Sequence, residues 1–184
     1  MAIKLNSRVC YFTFGRFQPP TIGHQENFKA VSKMAGQDDY RIYISQTVDS
    51  KGTNPLDPDT KLAYMNKMFP EHRGKIFSGP RDPVAVFQDV MTAGYHEAYF
   101  LVGSDRVHAM QWVKKYNHKD YSFRKIEIIS SGQRDADGDT FAISGTKMRR
   151  AAEAGDFTTF RKGIPKALSD KDARQLMVQI HDNM

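Results

Sequence analysis

Val9-Cys10-Tyr11-Phe12-Thr13-Phe14-Gly15-Arg16-Phe17-Gln18-Pro19-Pro20-Thr21-Ile22-Gly23-His24 is the stretch on which the fold turns. Val9 to Phe14 is an apolar, β-rich run that reads as a buried strand. Gly15 lets backbone approach a ligand closely, and Pro19-Pro20 stiffens an extended turn. Thr21 is a helix N-cap, Gly23 leaves the first turn without a side chain, and His24 lies three residues on, on the same face as Thr21. Strand, loop and helix start follow one another within sixteen residues.

Further along the chain the same alternation recurs. A helix over Ile22–Met34 carries Phe28, Val31 and Met34 at apolar spacing, and a second strand follows over Tyr40–Ser45. Helices are expected from about Asp57 to Phe69, Asp82 to Ala93, Asp105 to Tyr116, Ser144 to Ala154 and Asp170 to His181. Strands are expected at Lys75–Ser78, Ala98–Val102 and Lys125–Ile129. Asp82-Pro83 sets an N-cap before a proline at the first helical position. Such alternation predicts an α/β fold, a doubly wound parallel sheet of about five strands with helices on both faces and a small C-terminal helical extension. One domain over residues 1–184 suits this length.

Composition limits the function classes. Cys10 is the sole cysteine, so no disulfide can form within the chain, and its place in a strand reads as a buried, inert thiol. Met1 to Arg8 contains no apolar leader core, and no apolar run reaches bilayer length, so a soluble cytoplasmic protein is expected, with no membrane partner. The net charge of +6 favours an anionic partner without choosing among nucleotide, nucleic acid and membrane surface.

A second junction, Ile143-Ser144-Gly145-Thr146-Lys147-Met148-Arg149, opens a helix. Ser144 is the natural N-cap; Gly145, Thr146 and Lys147 then carry unpaired amides, and Lys147, Arg149 and Arg150 add charge. Either junction alone is equally readable as a capped helix with a solvated polar face. Together they suggest a polyphosphate held between two helix starts. Open parallel sheets bind ligands beyond the carboxyl ends of their strands, where Gly15–His24 and Gly103-Ser104-Asp105 both fall.

Gly15 to His24 resembles the first signature of the nucleotidylyltransferase superfamily, (H/T)xGH, and Ile143 to Arg149 resembles its second, ISxTxxR. Gly155, Phe157, Phe160 and Pro165 continue the resemblance into the tail. It implies a Rossmann-like fold and transfer of a nucleotidyl group from a triphosphate to a phosphate-bearing acceptor, with pyrophosphate released. By that resemblance His24, Thr21 and Arg149 are the catalytic candidates, with His24 at the α-phosphate and Thr21 on a phosphate oxygen. Ser144, Thr146 and Arg149 would hold the β- and γ-phosphates. Gly15, Arg16, Phe17, Gly23, Gly103, Asp105, Ile143 and Lys147 complete the expected nucleotide contacts. Mg²⁺ would enter with ATP, the expected donor; no cluster has transition-metal spacing, and no metal held by the protein alone is expected.

The acceptor is read from three further segments. Gly15 to Pro19, Asn54-Pro55, and Gly103-Ser104-Asp105 followed by Trp112 resemble the nicotinamide and nicotinate mononucleotide adenylyltransferases. Asn54, Trp112 and Arg134 are the acceptor candidates; Trp112 also reads as a core residue and Asp105 as an N-cap. Thr21 stands where most of those enzymes have His, and is closer to pantetheine-phosphate adenylyltransferases and cytidylyltransferases. The acidic loop with Asp135, Asp137 and Asp139 reads as solvated rather than as a Mg²⁺ site. A non-enzymatic, basic nucleic-acid- or nucleotide-binding module stays as the other class, although no recognised module is present and nucleic acid is not the expected partner. A homo-oligomer is compatible with the sequence.

Overall fold

Cys10 and Phe12 on the first strand, β1 (Val9–Gly15), pack into one core, while Ile42 and Ile44 on β2 (Asp39–Ile44) face another and Tyr43 between them turns back to the first. This period-two alternation is what a sheet buried on both faces requires. The computed structural model describes residues 8–46, 52–132 and 144–184. β3 (Ile76–Ser78), β4 (Glu97–Val102) and β5 (Lys125–Ser130) complete a five-stranded sheet of order β3-β2-β1-β4-β5, with every pairing parallel. The order reverses between β1 and β4, which makes their carboxyl ends the topological switch point. The α/β fold expected from the sequence is the one observed.

The helices are α1 (Ile22–Ala35), α2 (Pro58–Met68), α3 (Pro83–Thr92), α4 (Gly145–Glu153), α5 (Phe157–Lys162) and α6 (Asp170–Asp182). Local chemistry starts most of them. Asp57, Asp82, Ser144, Asp156 and Ser169 each accept from a backbone N–H three residues on, and Pro58 and Pro83 occupy the first helical position. α1, α2 and the C-terminal helices α4 to α6 cover one face through Phe28, Met65, Met148, Phe160 and Leu176. α3, through Val86, Phe87 and Val90, covers the other.

Two elements differ from expectation. Asp105–Tyr116 is not one α-helix: 3-10 turns occupy Ser104–Arg106 and Gln111–Tyr116. Residues 107–110 between them form turns, and Met110 and Val113 are buried. α5 is too short for a periodic signal and is fixed by the Asp156 cap and by burial of Phe160. Among the described residues no helix is long and apolar enough to cross a membrane.

Candidate active site

The loop from Arg16 to Thr21 leaves β1 at the switch point and is held from three sides. Gln18, 3% exposed, forms a two-bond amide pair with Leu56, its Nε2 donating to the Leu56 carbonyl and its Oε1 accepting from the Leu56 N–H, both at 2.9 Å. The carbonyl of Gln18 accepts from Arg149 Nη1 at 2.7 Å. Ile22 N–H donates to the Gly163 carbonyl at 3.0 Å, tying the start of α1 to the C-terminal helices. Asn54-Pro55-Leu56 is buried beside this loop.

His24 is oriented by its own helix cap. The Thr21 N–H donates to His24 Nδ1 at 3.0 Å, and Thr21 Oγ1 lies 3.3 Å from the same nitrogen. A backbone N–H can only donate, so Nδ1 is the acceptor and the neutral ring carries its proton on Nε2. The Phe17 ring meets the imidazole edge to face at 4.8 Å. His24 therefore has one nitrogen fixed by backbone and the other equipped to donate.

At α4 the Ser144 hydroxyl accepts from Lys147 N–H at 3.2 Å. Helix geometry leaves Gly145 and Thr146 N–H without intrahelical acceptors, beside the exposed Thr146 and Lys147 side chains. Arg149 Nη2 donates to Thr146 Oγ1 at 3.2 Å, while Nη1 reaches Gln18. A Cβ on Gly145 would meet Arg149 Nη1 at 3.1 Å and the Gln18 carbonyl at 3.3 Å. Glycine here leaves room for the Arg149–Gln18 contact without a shift of either group.

Several sequence expectations change in detail. Phe17 is not open to a nucleotide: it is buried in the core against Phe28, with a backbone φ of 49°. The room left by Gly15 is occupied by that ring, since a Cβ there would lie 2.9 Å from Phe17 Cζ. Thr21 is 2% exposed, and its hydroxyl lies 3.3 Å from His24 Nδ1. The amides of Thr21 and Ile22 are already engaged, so fewer amides at the start of α1 are open than its sequence suggests.

Arg16 is exposed at the loop's edge. Gly103 precedes the 3-10 turn and Asp105 lies exposed within it, so Asp105 is not the N-cap. Ser104 N–H donates to the Gly132 carbonyl at 3.3 Å, closing the ends of β4 and β5 together. Trp112 packs against the core on the α3 side and meets Tyr116 edge to face at 5.6 Å. Asn54 is buried with Nδ2 donating to Thr53 Oγ1 at 3.3 Å. Ile143, Arg134 and the acidic residues 135–139 lie outside the described residues.

Lys61 escaped the sequence reading. It is fully buried, and its Nζ donates to the Arg16 carbonyl at 2.9 Å and the Ser45 carbonyl at 2.7 Å. Burial pulls its pKa down to about 8, with Asp57 opposing and Arg16 reinforcing that shift. The missed signal is a lysine standing in the apolar register of α2, at the i position of Lys61, Tyr64, Met65 and Met68. Among the described residues no three His, Cys, Asp or Glu side chains group as a metal site.

The loop that leaves β1 thus brings together two helix starts, the His24 imidazole and the Arg149 guanidinium. Residues 12–151 match the cytidylyltransferase-like family, and the chain belongs to that family. Its fold is similar to that of Plasmodium falciparum nicotinic acid mononucleotide adenylyltransferase complexed with APC, with a TM-score of 0.56, 14% identity, and coverage of 93% of this chain and 94% of that one. The same enzyme complexed with NaAD gives a TM-score of 0.56 at 15% identity, covering 93% and 95%. Thermotoga maritima TmcAL bound with alpha-thio ATP gives 0.54 at 11% identity, covering 92% of this chain and 55% of that one. No curated protein matches the sequence.

Proposed function

We propose that this protein transfers an adenylyl group from ATP to a phosphate-bearing acceptor, nicotinamide or nicotinate mononucleotide, releasing pyrophosphate. The observation that supports the reading is the Arg149–Gln18 contact, which brings the two helix-start junctions together at the switch point. The acceptor's phosphate oxygen attacks the α-phosphorus; a P–O bond forms there and the bond to the bridging β-phosphate oxygen breaks. No protein nucleophile is needed and no proton is transferred in that step. The chain's part is placement and stabilisation of charge. His24 Nε2–H donates to the α-phosphate, and the Gly145 and Thr146 amides with Lys147 and Arg149 take the departing pyrophosphate.

Mg²⁺ enters as part of the MgATP substrate. The donor set of amides, hydroxyls, imidazole and guanidinium suits the phosphates themselves, and the metal's oxygens come from the triphosphate and water. The structural likeness to mononucleotide adenylyltransferases and the Asn54-Pro55 and Gly103-Ser104-Asp105 segments support the choice of acceptor. A second reading, cytidylyl transfer from CTP, is favoured by Thr21 at the first motif position and by the family's own description.

The test is a pyrophosphate-release screen of ATP, CTP, GTP and UTP against nicotinamide mononucleotide, nicotinate mononucleotide, phosphopantetheine, glycerol 3-phosphate and phosphocholine. Release is expected with ATP and a mononucleotide, and only when both are present. Release with CTP and an alcohol phosphate instead selects the second reading, and silence in every well rejects both.

A further inference from the structure

Lys61 is a buried charge that the transfer chemistry leaves unused. Its ammonium bridges the carbonyls of Arg16 and Ser45, the residues that follow β1 and β2. Ser45 N–H donates in turn to the Gly15 carbonyl at 2.8 Å, so these strand ends are linked twice within a few ångströms. The same α2 start reaches the loop again through Leu56 and the Gln18 amide. A lysine with none of its surface exposed is costly to hold in an apolar interior. Met in its place would fill similar space and leave two carbonyls without their donor, so packing alone does not account for a lysine here.

We propose that Lys61 is a positioning residue for nucleotidyl transfer, tying the exits of β1 and β2 together at the root of the Arg16–Thr21 loop and so fixing where His24 and Arg149 meet the triphosphate. This rests on reading the site as a nucleotidyl-transfer centre. Loop placement passes to catalysis by two routes: the Thr21 N–H holds His24, and the Gln18 carbonyl holds Arg149. Asp57 and Arg16 are the charged groups that face the ammonium. Its loss of a proton near pH 8 leaves two N–H donors, enough for both carbonyls, so the tie outlasts the charge.

The experiment compares wild type with Lys61→Met and Lys61→Arg. Three readouts are used: thermal melting, kcat and KM for ATP with nicotinamide mononucleotide, and the His24 ring tautomer by long-range ¹H–¹⁵N NMR. Lys61→Met is expected to fold with a lower Tm, to lose at least ~10-fold in kcat per folded molecule while KM moves less than ~3-fold, and to lose the single Nε2–H tautomer. Lys61→Arg, which keeps donors for both carbonyls, is expected to recover most of the kcat. A Lys61→Met protein with lowered Tm but wild-type kcat and an unchanged His24 spectrum overturns the proposal, because a purely structural lysine predicts that pattern. Should Lys61→Met not fold, Lys61→Gln, with two N–H donors and no charge, is expected to keep the tautomer; its loss in a folded protein counts against the hydrogen-bonded tie. If wild type turns over no acceptor, the functional reading fails, and the His24 spectrum still decides whether Lys61 positions the loop.

Discussion

Arg149 Nη1 donates to the backbone carbonyl of Gln18 at 2.7 Å, across 131 residues of sequence. The guanidinium thereby has its position set by the first junction while belonging to the second. Its other nitrogen, Nη2, is 3.2 Å from Thr146 Oγ1. Arg149→Lys keeps the charge but not the fork, since an ammonium is a point donor on a flexible stem. A hydrogen bond to a charged group contributes about 1.5–3 kcal/mol, so the substitution is expected to slow pyrophosphate release by about 10- to 100-fold. Equal rates for the lysine variant and wild type would show that charge alone is used there.

His24 and Thr21 separate by substitution. Removing one preorganised donor costs about 3–4 kcal/mol of barrier, so His24→Ala is expected to lose at least ~100-fold in kcat with the fold intact by circular dichroism. Thr21→Val deletes the hydroxyl but keeps the backbone N–H that reaches Nδ1. Its rate is expected to stay within about 3-fold of wild type, because the Thr21 hydroxyl is buried against the imidazole. A loss from Thr21→Val as large as that from His24→Ala would place the hydroxyl on the phosphate after all.

Gly145→Ala sets stability against activity. The position is the first residue of α4, where alanine gains less over glycine than the about 0.5–1 kcal/mol of a helix interior. The added Cβ, however, falls 3.1 Å from Arg149 Nη1 and 3.3 Å from the Gln18 carbonyl, so the guanidinium must give by a few tenths of an ångström. The variant is expected to melt no lower than wild type and to turn over about 10-fold more slowly. Calorimetry and the pyrophosphate assay on one sample check both signs.

The sheet was legible because Val9–Phe14 and Ala98–Val102 are apolar β-rich runs, and the helices because Asp57, Asp82, Ser144 and Ser169 are caps. The two junctions of the candidate site were legible as residue types. Their wiring was not. Gln18 carries no local pattern announcing that its amide will pair with Leu56, and Lys61 breaks the polarity rule for the face it occupies. Phe17 was expected among the nucleotide contacts through the family resemblance alone; tertiary packing draws its ring over Gly15 into the core, which no local pattern announces. The 105–116 segment, expected as one helix, is instead two 3-10 turns with other turns between them.

His72 ties acid stability to the face that α1 covers. The ring is 3% exposed, its Nδ1 is 2.8 Å from the Tyr40 hydroxyl, and Phe28 of α1 meets it edge to face at 5.9 Å. Burial holds its pKa below 6.5, with Glu71 opposing. The folded protein therefore binds this proton less readily than the unfolded chain. The unfolding free energy then rises with pH while the unfolded histidine titrates, and falls as pH drops below 6.5 toward the lowered folded value. One such group gives a slope of at most about 1.4 kcal/mol per pH unit. Urea unfolding of wild type and His72→Gln at a series of pH values isolates it. The difference between the two stability curves is expected to be flat above pH 7 and to shrink as pH falls below 6.5, as wild type alone bears the cost of protonating a buried imidazole. Parallel curves across that range would show that His72 is protonated equally in both states.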